Sequence, residues 1–162
     1  MRLVAVVPTH TLADGEYDDV VAGRLAGFGF ALQVTSTAAA SSAGVTQEGS
    51  PVPTTTVAGT VRLPGTEVPP VLDAGFVQPL LASADERWPA DAMLAVTGRL
   101  VVEPYLWAAD GMLWPLLPEG VRMWSVDRIR RIGDEGTEEL ESLPGPSGLE
   151  HSATYLLDLE GH

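Results

Sequence analysis

Hydrophobic and polar positions alternate with a period of two through three stretches of the chain. Val57, Gly59, Val61 and Leu63 interleave with Ala58, Thr60 and Arg62. Leu94, Val96, Gly98, Leu100 and Val102 interleave with Ala95, Thr97 and Arg99, and Tyr155, Leu157 and Leu159 with Leu156, Asp158 and Glu160. Successive side chains on a strand point to opposite faces, so this alternation predicts strands with one face in a core and the other toward solvent. Half-buried strands suit an antiparallel sheet better than a parallel one. From Asp19 to Thr35 the parity changes part-way. Val21, Gly23 and Leu25 share one parity and Phe28, Phe30, Leu32 and Val34 the other, with the slip at Ala26-Gly27. A slip at a glycine is what a bulge or sharp bend produces, and the segment reads as one long, bent strand.

Helical spacing is scarce. Asp73 to Trp88 carries Phe76, Val77, Leu80, Leu81 and Ala84 at helical intervals, interrupted by Pro79. That proline fits the first position of a short helix better than the interior of a long one. Ser83-Ala84-Asp85-Glu86 has the pattern of a capping box, closed off by Trp88-Pro89. Glu138 to Leu143 has room for a further turn or two. Val121 to Ile132 suits either type, and its β-branched residues with Trp124 favour a strand. Two stretches read as loops: Ser36 to Pro53, small, polar and broken by proline, and Pro144 to Gly148. A loop as long as 36–53 is uncommon in a compact domain and is usually a lid, a binding loop or a flexible insert. With no internal repeat and no evident boundary, residues 1–162 read as a single domain. The expected class is all-β or β-dominated: a small antiparallel barrel of bent strands, OB-like, with one or two short helices.

Composition narrows the chemistry. There is no Cys, which excludes disulfides, thiol nucleophiles and cysteine-ligated metal centres. There is no Lys or Asn either, so all nine cations are Arg, and Schiff-base lysines and Walker-type phosphate loops are excluded. Twenty-two acids set the formal net charge at −13. Such a chain is repelled by nucleic-acid phosphates and anionic lipid unless its few Arg are gathered together. Eight acids and no Arg fall between Asp134 and His162, a solvated surface or a face for a basic partner. No apolar run approaches the roughly 20 residues needed to cross a bilayer. The N-terminal apolar stretch stops at Pro8, short of the roughly 7–15 residues of a signal-peptide core, so a cytoplasmic location is expected.

The segment Arg99 to Arg131 concentrates the candidate chemistry. Asp110-Gly111 signals a two-residue hairpin turn. That turn would place Trp107 opposite Trp114, with Tyr105 and Leu116 on the same face. Arg122, Trp124, Arg128, Arg130 and Arg131 follow. Aromatics interleaved with Arg are the ingredients of a single-strand nucleic-acid platform. The plainer reading has the Trp residues filling a core or covering a sheet edge, and the Arg residues pairing with the acidic C-terminal segment. Elsewhere, Asp14, Glu16 and Asp18 sit at alternate positions as in a calcium loop. Asp19 stands where that loop needs glycine and Leu25 where it needs glutamate, so the pattern fails. The three His, at 10, 151 and 162, come with no nucleophile motif.

These readings lead to a non-catalytic binding or adaptor module, with Arg99, Tyr105, Trp107, Trp114, Arg122, Trp124, Arg128, Arg130 and Arg131 as its candidate face. Its expected partner is a protein or a small molecule; nucleic acid and membrane are disfavoured, and no cofactor or metal is implied. Two alternatives remain: a cofactor-independent barrel that encloses a small molecule, as enzyme or carrier, and an OB-like binder of single-stranded nucleic acid.

Overall fold

The computed structural model describes the whole chain except residues 66–67, 83–86, 108–115, 118–119 and 162. Strands dominate, at 53% against 6% helix, in agreement with the β-dominated class read from the alternation. Where the pattern offered no boundary, the chain resolves into two compact units: one of residues 1–28 and 122–162, the other of residues 29–121.

The 29–121 unit contains a closed five-stranded barrel. Its strands are β3 (Phe30–Ala39), β5 (Thr54–Arg62), β6 (Val71–Asp73), β7 (Leu80–Ala82) and β8 (Met93–Val102). β3 pairs antiparallel with β8, β8 with β5, β5 with β6 and β6 with β7, and β7 closes the ring by pairing parallel with β3. The alternation is realised as drawn from the sequence. Val57 faces Val96, Leu32 faces Leu100 and Phe30 faces Val102, all buried. Gly98 belongs to this inward set because a Cβ there would lie 2.2 Å from the Gln33 carbonyl oxygen. A side chain would hold β3 and β8 apart where they run closest.

Several local expectations change. The bent strand through Asp19–Thr35 is two strands, β2 (Leu25–Phe28) and β3, parted at Gly29. The stretch around Pro79 forms β6 and β7 in place of a helix; both are too short for a period to be visible, and a parallel strand buried on both faces shows none. Within 36–53, expected as a loop, β3 runs on to Ala39 and β4 (Gly44–Glu48) pairs with β5. Backbone pairing holds these strands although their side chains are small. A bulge at Thr35 shifts the β3–β8 register, and the Thr35 hydroxyl donates to the Thr97 carbonyl at 3.1 Å.

The other unit is built on β9 (Arg122–Gly133), which confirms the strand reading of Val121–Ile132. β11 (Thr154–Gly161) pairs along one side of β9, and β1 (Arg2–Val7) pairs with β11. On its other side β9 meets β2 through its first residues and β10 (Gly136–Leu140) through its last. β10 occupies the place where a helical turn was expected. Leu3, Ala5, Val7, Val126, Ile129, Tyr155, Leu157 and Leu159 make the core. Leu156 is buried too, so the central strand β11 is covered on both faces, which alternation alone does not foretell. A five-residue helix, α1 (Thr9–Ala13), buries Leu12. No helix among the described residues is long and apolar enough to cross a membrane.

Candidate functional site

The residues singled out by sequence fall into both units, and most are engaged internally. Trp107 is 2% exposed. Its indole Nε1 donates to the Phe30 carbonyl at 2.9 Å, and its ring lies against Gly29 and Gly120. A Cβ on Gly29 would stand 2.2 Å from Trp107 Cγ, and one on Gly120 1.8 Å from Cζ3. The ring therefore locks together the beginning and the end of the 29–121 unit. Trp124, also 2% exposed, sits in the core of the other unit on β9. Trp114 and the Asp110-Gly111 turn lie outside the described residues. Tyr105 is exposed, in a turn where the Glu103 carboxylate accepts from the Leu106 amide at 2.8 Å.

Arg128, Arg130 and Arg131 of β9 meet acids, as the plainer reading had it. Asp158, buried on β11, receives Arg128 through Nε at 2.9 Å and Arg130 through Nη2. The register puts Arg128 directly opposite Asp158, so all three side chains share a face. Arg131 spans Glu138 of β10 and Glu150, the latter at 3.0 Å. Taken together the three guanidiniums and the three carboxylates balance, which leaves little attraction for an external phosphate. Arg99 and Arg122 are exposed, one in each unit. Arg99 borders an open groove of about 370 Å³ with Gln33, Thr35 and Thr54.

A different surface stands out. In the unit built on β9, a groove of about 550 Å³ runs beside β2, lined by Tyr17, Asp19, Val21, Arg24, Leu25, Gly27 and Met123. Leu25 is 60% exposed and Met123 57%. Leu25 pairs with Ser125 and Gly27 with Met123, so the two large apolar side chains lie diagonally on one face. Gly27 adds no bulk between them. Val126 donates to the Arg24 carbonyl at 2.9 Å, which fixes the alternation along β2. Ala26 and Phe28 then bond toward β9, while the backbone N–H and C=O groups of Leu25 and Gly27 point away from it. The loop before the groove carries Asp14, Glu16, Asp18 and Asp19, all exposed. Of these acids Asp19 lines the groove, where Arg24 is its basic counterpart, and the other three stand on the loop that leads to it.

Sequence reading passed over this site because neither Leu25 nor Met123 breaks the pattern around it. Leu25 keeps the alternation of Val21 and Gly23, and only the pairing of β2 with the start of β9 turns it outward. Among the described residues, no three His, Asp or Glu side chains gather closely enough to hold a metal ion. No family model, curated protein or solved structure matches the chain.

Proposed function

We propose that the protein is a non-catalytic binding module that receives an extended, basic segment of a protein partner as an added strand along β2. The observation that carries this reading is the outward edge of β2. Among the described residues β2 pairs only with β9, so the backbone groups of Leu25 and Gly27 face outward beside two exposed apolar side chains in one groove. In strand addition, main-chain hydrogen bonds supply affinity and alternate side chains supply specificity. The exposed acids of the loop before β2 favour Lys or Arg in the incoming segment, and the net charge of −13 steers such a segment toward the protein.

The barrel supports the same reading by what it does not offer. Its connectivity supports an OB-type barrel whose cycle is opened at a different point. β5, β6 and β7 form the antiparallel meander, β8 returns against β5, and β3, first in the chain, takes the last place between β8 and β7. OB barrels bind oligonucleotides on their second and third strands. Here those are β6 and β7, whose Val71, Leu72, Leu80 and Leu81 are buried. The unit holds Arg62, Arg87 and Arg99 against nine acids. Both features disfavour nucleic acid. The interior, filled by Phe30, Leu32, Val57, Val96 and Leu100, likewise disfavours an enclosed small molecule.

The test uses short synthetic peptides that alternate Val with Arg or Val with Glu, titrated against the protein by fluorescence anisotropy. The Val/Arg peptide is expected to bind and the Val/Glu peptide not. The double substitution Leu25→Lys, Met123→Lys should weaken Val/Arg binding about tenfold or more, because it places cations against a basic peptide and blunts the edge. Both side chains are exposed, so the thermal midpoint should stay unchanged. Equal binding by wild type and variant would remove β2 as the site.

A further inference from the structure

Another open edge belongs to β4, and its chemistry differs from that of β2. Among the described residues β4 pairs only with β5, in unbroken register from Gly44↔Ala58 to Glu48↔Thr54. Exposed edges are normally blunted by Lys, Pro, a bulge or an inward charge. The interior of β4, Val45-Thr46-Gln47, carries none of these. The sheet face beside it is almost free of charge in a chain with 22 acids. Thr46 pairs with Thr56, Thr56 with Thr97 and Thr97 with Ser36, one hydroxyl row across four strands, and the Thr56 and Thr97 hydroxyls bond at 2.8 Å. The next row is Gly44, Ala58, Ala95 and Ala38.

From this edge we infer that β4 pairs antiparallel with β4 of a second copy, about a two-fold axis through Thr46. Register and charge both point to self-association. Under that symmetry Val45 stands opposite Gln47 and Gly44 opposite Glu48, so no acid meets an acid. Two copies at −13 repel one another over most of their surfaces, and here they meet without like charges in contact. The interface satisfies both outward backbone rows and continues the sheet. Five residue pairs make a small contact, so the dimer is weak and concentration-dependent. Because repulsion between the copies opposes it, added salt strengthens it, the reverse of an interface held by ion pairs. This inference stands apart from the peptide groove at β2, which lies in the other unit.

Sedimentation velocity over a range of protein and salt concentrations tests it. Wild type is expected to show a monomer–dimer equilibrium that tightens with salt. Thr46→Arg and Thr46→Glu each bring two like charges together on the axis and should weaken the dimer about tenfold or more. Thr46 is exposed, and circular dichroism checks that both variants fold. An equimolar mixture of the two variants should recover dimer, because Arg then faces Glu. A wild-type monomer at every concentration and salt, a dimer indifferent to both substitutions, or a mixture that fails to recover would each overturn the inference.

Discussion

Trp107 is held by three things at once: a hydrogen bond to Phe30, the backbone of Gly29 and the backbone of Gly120. The two glycines meet different parts of the indole. A Cβ at Gly29 would strike Cβ, Cγ and Cδ1, atoms that phenylalanine keeps, whereas one at Gly120 would strike Cζ3 and Cη2 on the outer ring. Gly29→Ala and Gly120→Ala should each lower stability by about 1–3 kcal/mol through overpacking. Trp107→Phe should relieve the cost of Gly120→Ala and leave that of Gly29→Ala, a difference that urea denaturation of the double variants would read. The burial of this tryptophan agrees with the plainer reading of the sequence, in which the Trp residues fill a core. What enclosed it was not legible, because Gly29 and Gly120 stand apart from it along the chain. The ion pairs were more legible: with no Lys, and acids crowded after Asp134, Arg128, Arg130 and Arg131 had carboxylates to meet, and they meet Asp158, Glu138 and Glu150.

At the scale of the element, alternation carried β5, β8 and β11, and it did so because each is long enough for a period to show. β6 and β7, three residues each, carry no period, and the helical spacing around Pro79 arose from two short buried strands and the turn between them. The strand character of 36–39 and 44–48 was hidden for another reason. Small and polar side chains say loop, while the backbone ladders to β8 and β5 decide otherwise. Gly98 was placed correctly among the inward positions, though sequence gave no reason for the missing side chain. The reason is the approach of β3, and Gly98→Ala drives a Cβ into the Gln33 carbonyl, which is backbone and has little room to move. Thermal unfolding of Gly98→Ala should show a loss of about 2 kcal/mol or more, larger than substitution of an exposed strand residue such as Thr46. An unchanged midpoint would contradict the close pairing of β3 with β8.

For the whole molecule, the β-dominated class and the closed barrel were within reach of the hydrophobic pattern, because period and turn chemistry are local. The division into two units was not, since the chain leaves the first after Phe28 and returns to it at Arg122. The candidate face was not legible either. Exposure of Leu25 and Met123 follows from which strands meet. Of the residues that drew attention in sequence, Trp107 and Trp124 are buried and Arg128, Arg130 and Arg131 pair with acids, while Arg99, Tyr105 and Arg122 are exposed. What the whole chain brings to the two proposals is its charge: 22 acids are the reason a basic partner is proposed at β2, and the reason copies are proposed to meet only where few charges stand, as along β4.

The most direct test of the strand-addition account is amide hydrogen exchange at Leu25 and Gly27, with and without a saturating Val/Arg peptide. The account predicts that both amides, exchanging freely in the protein alone, become protected when the peptide bonds to them, while Ala26 and Phe28, already bonded to β9, change little. Protection elsewhere, with Leu25 and Gly27 still exchanging freely, would contradict it.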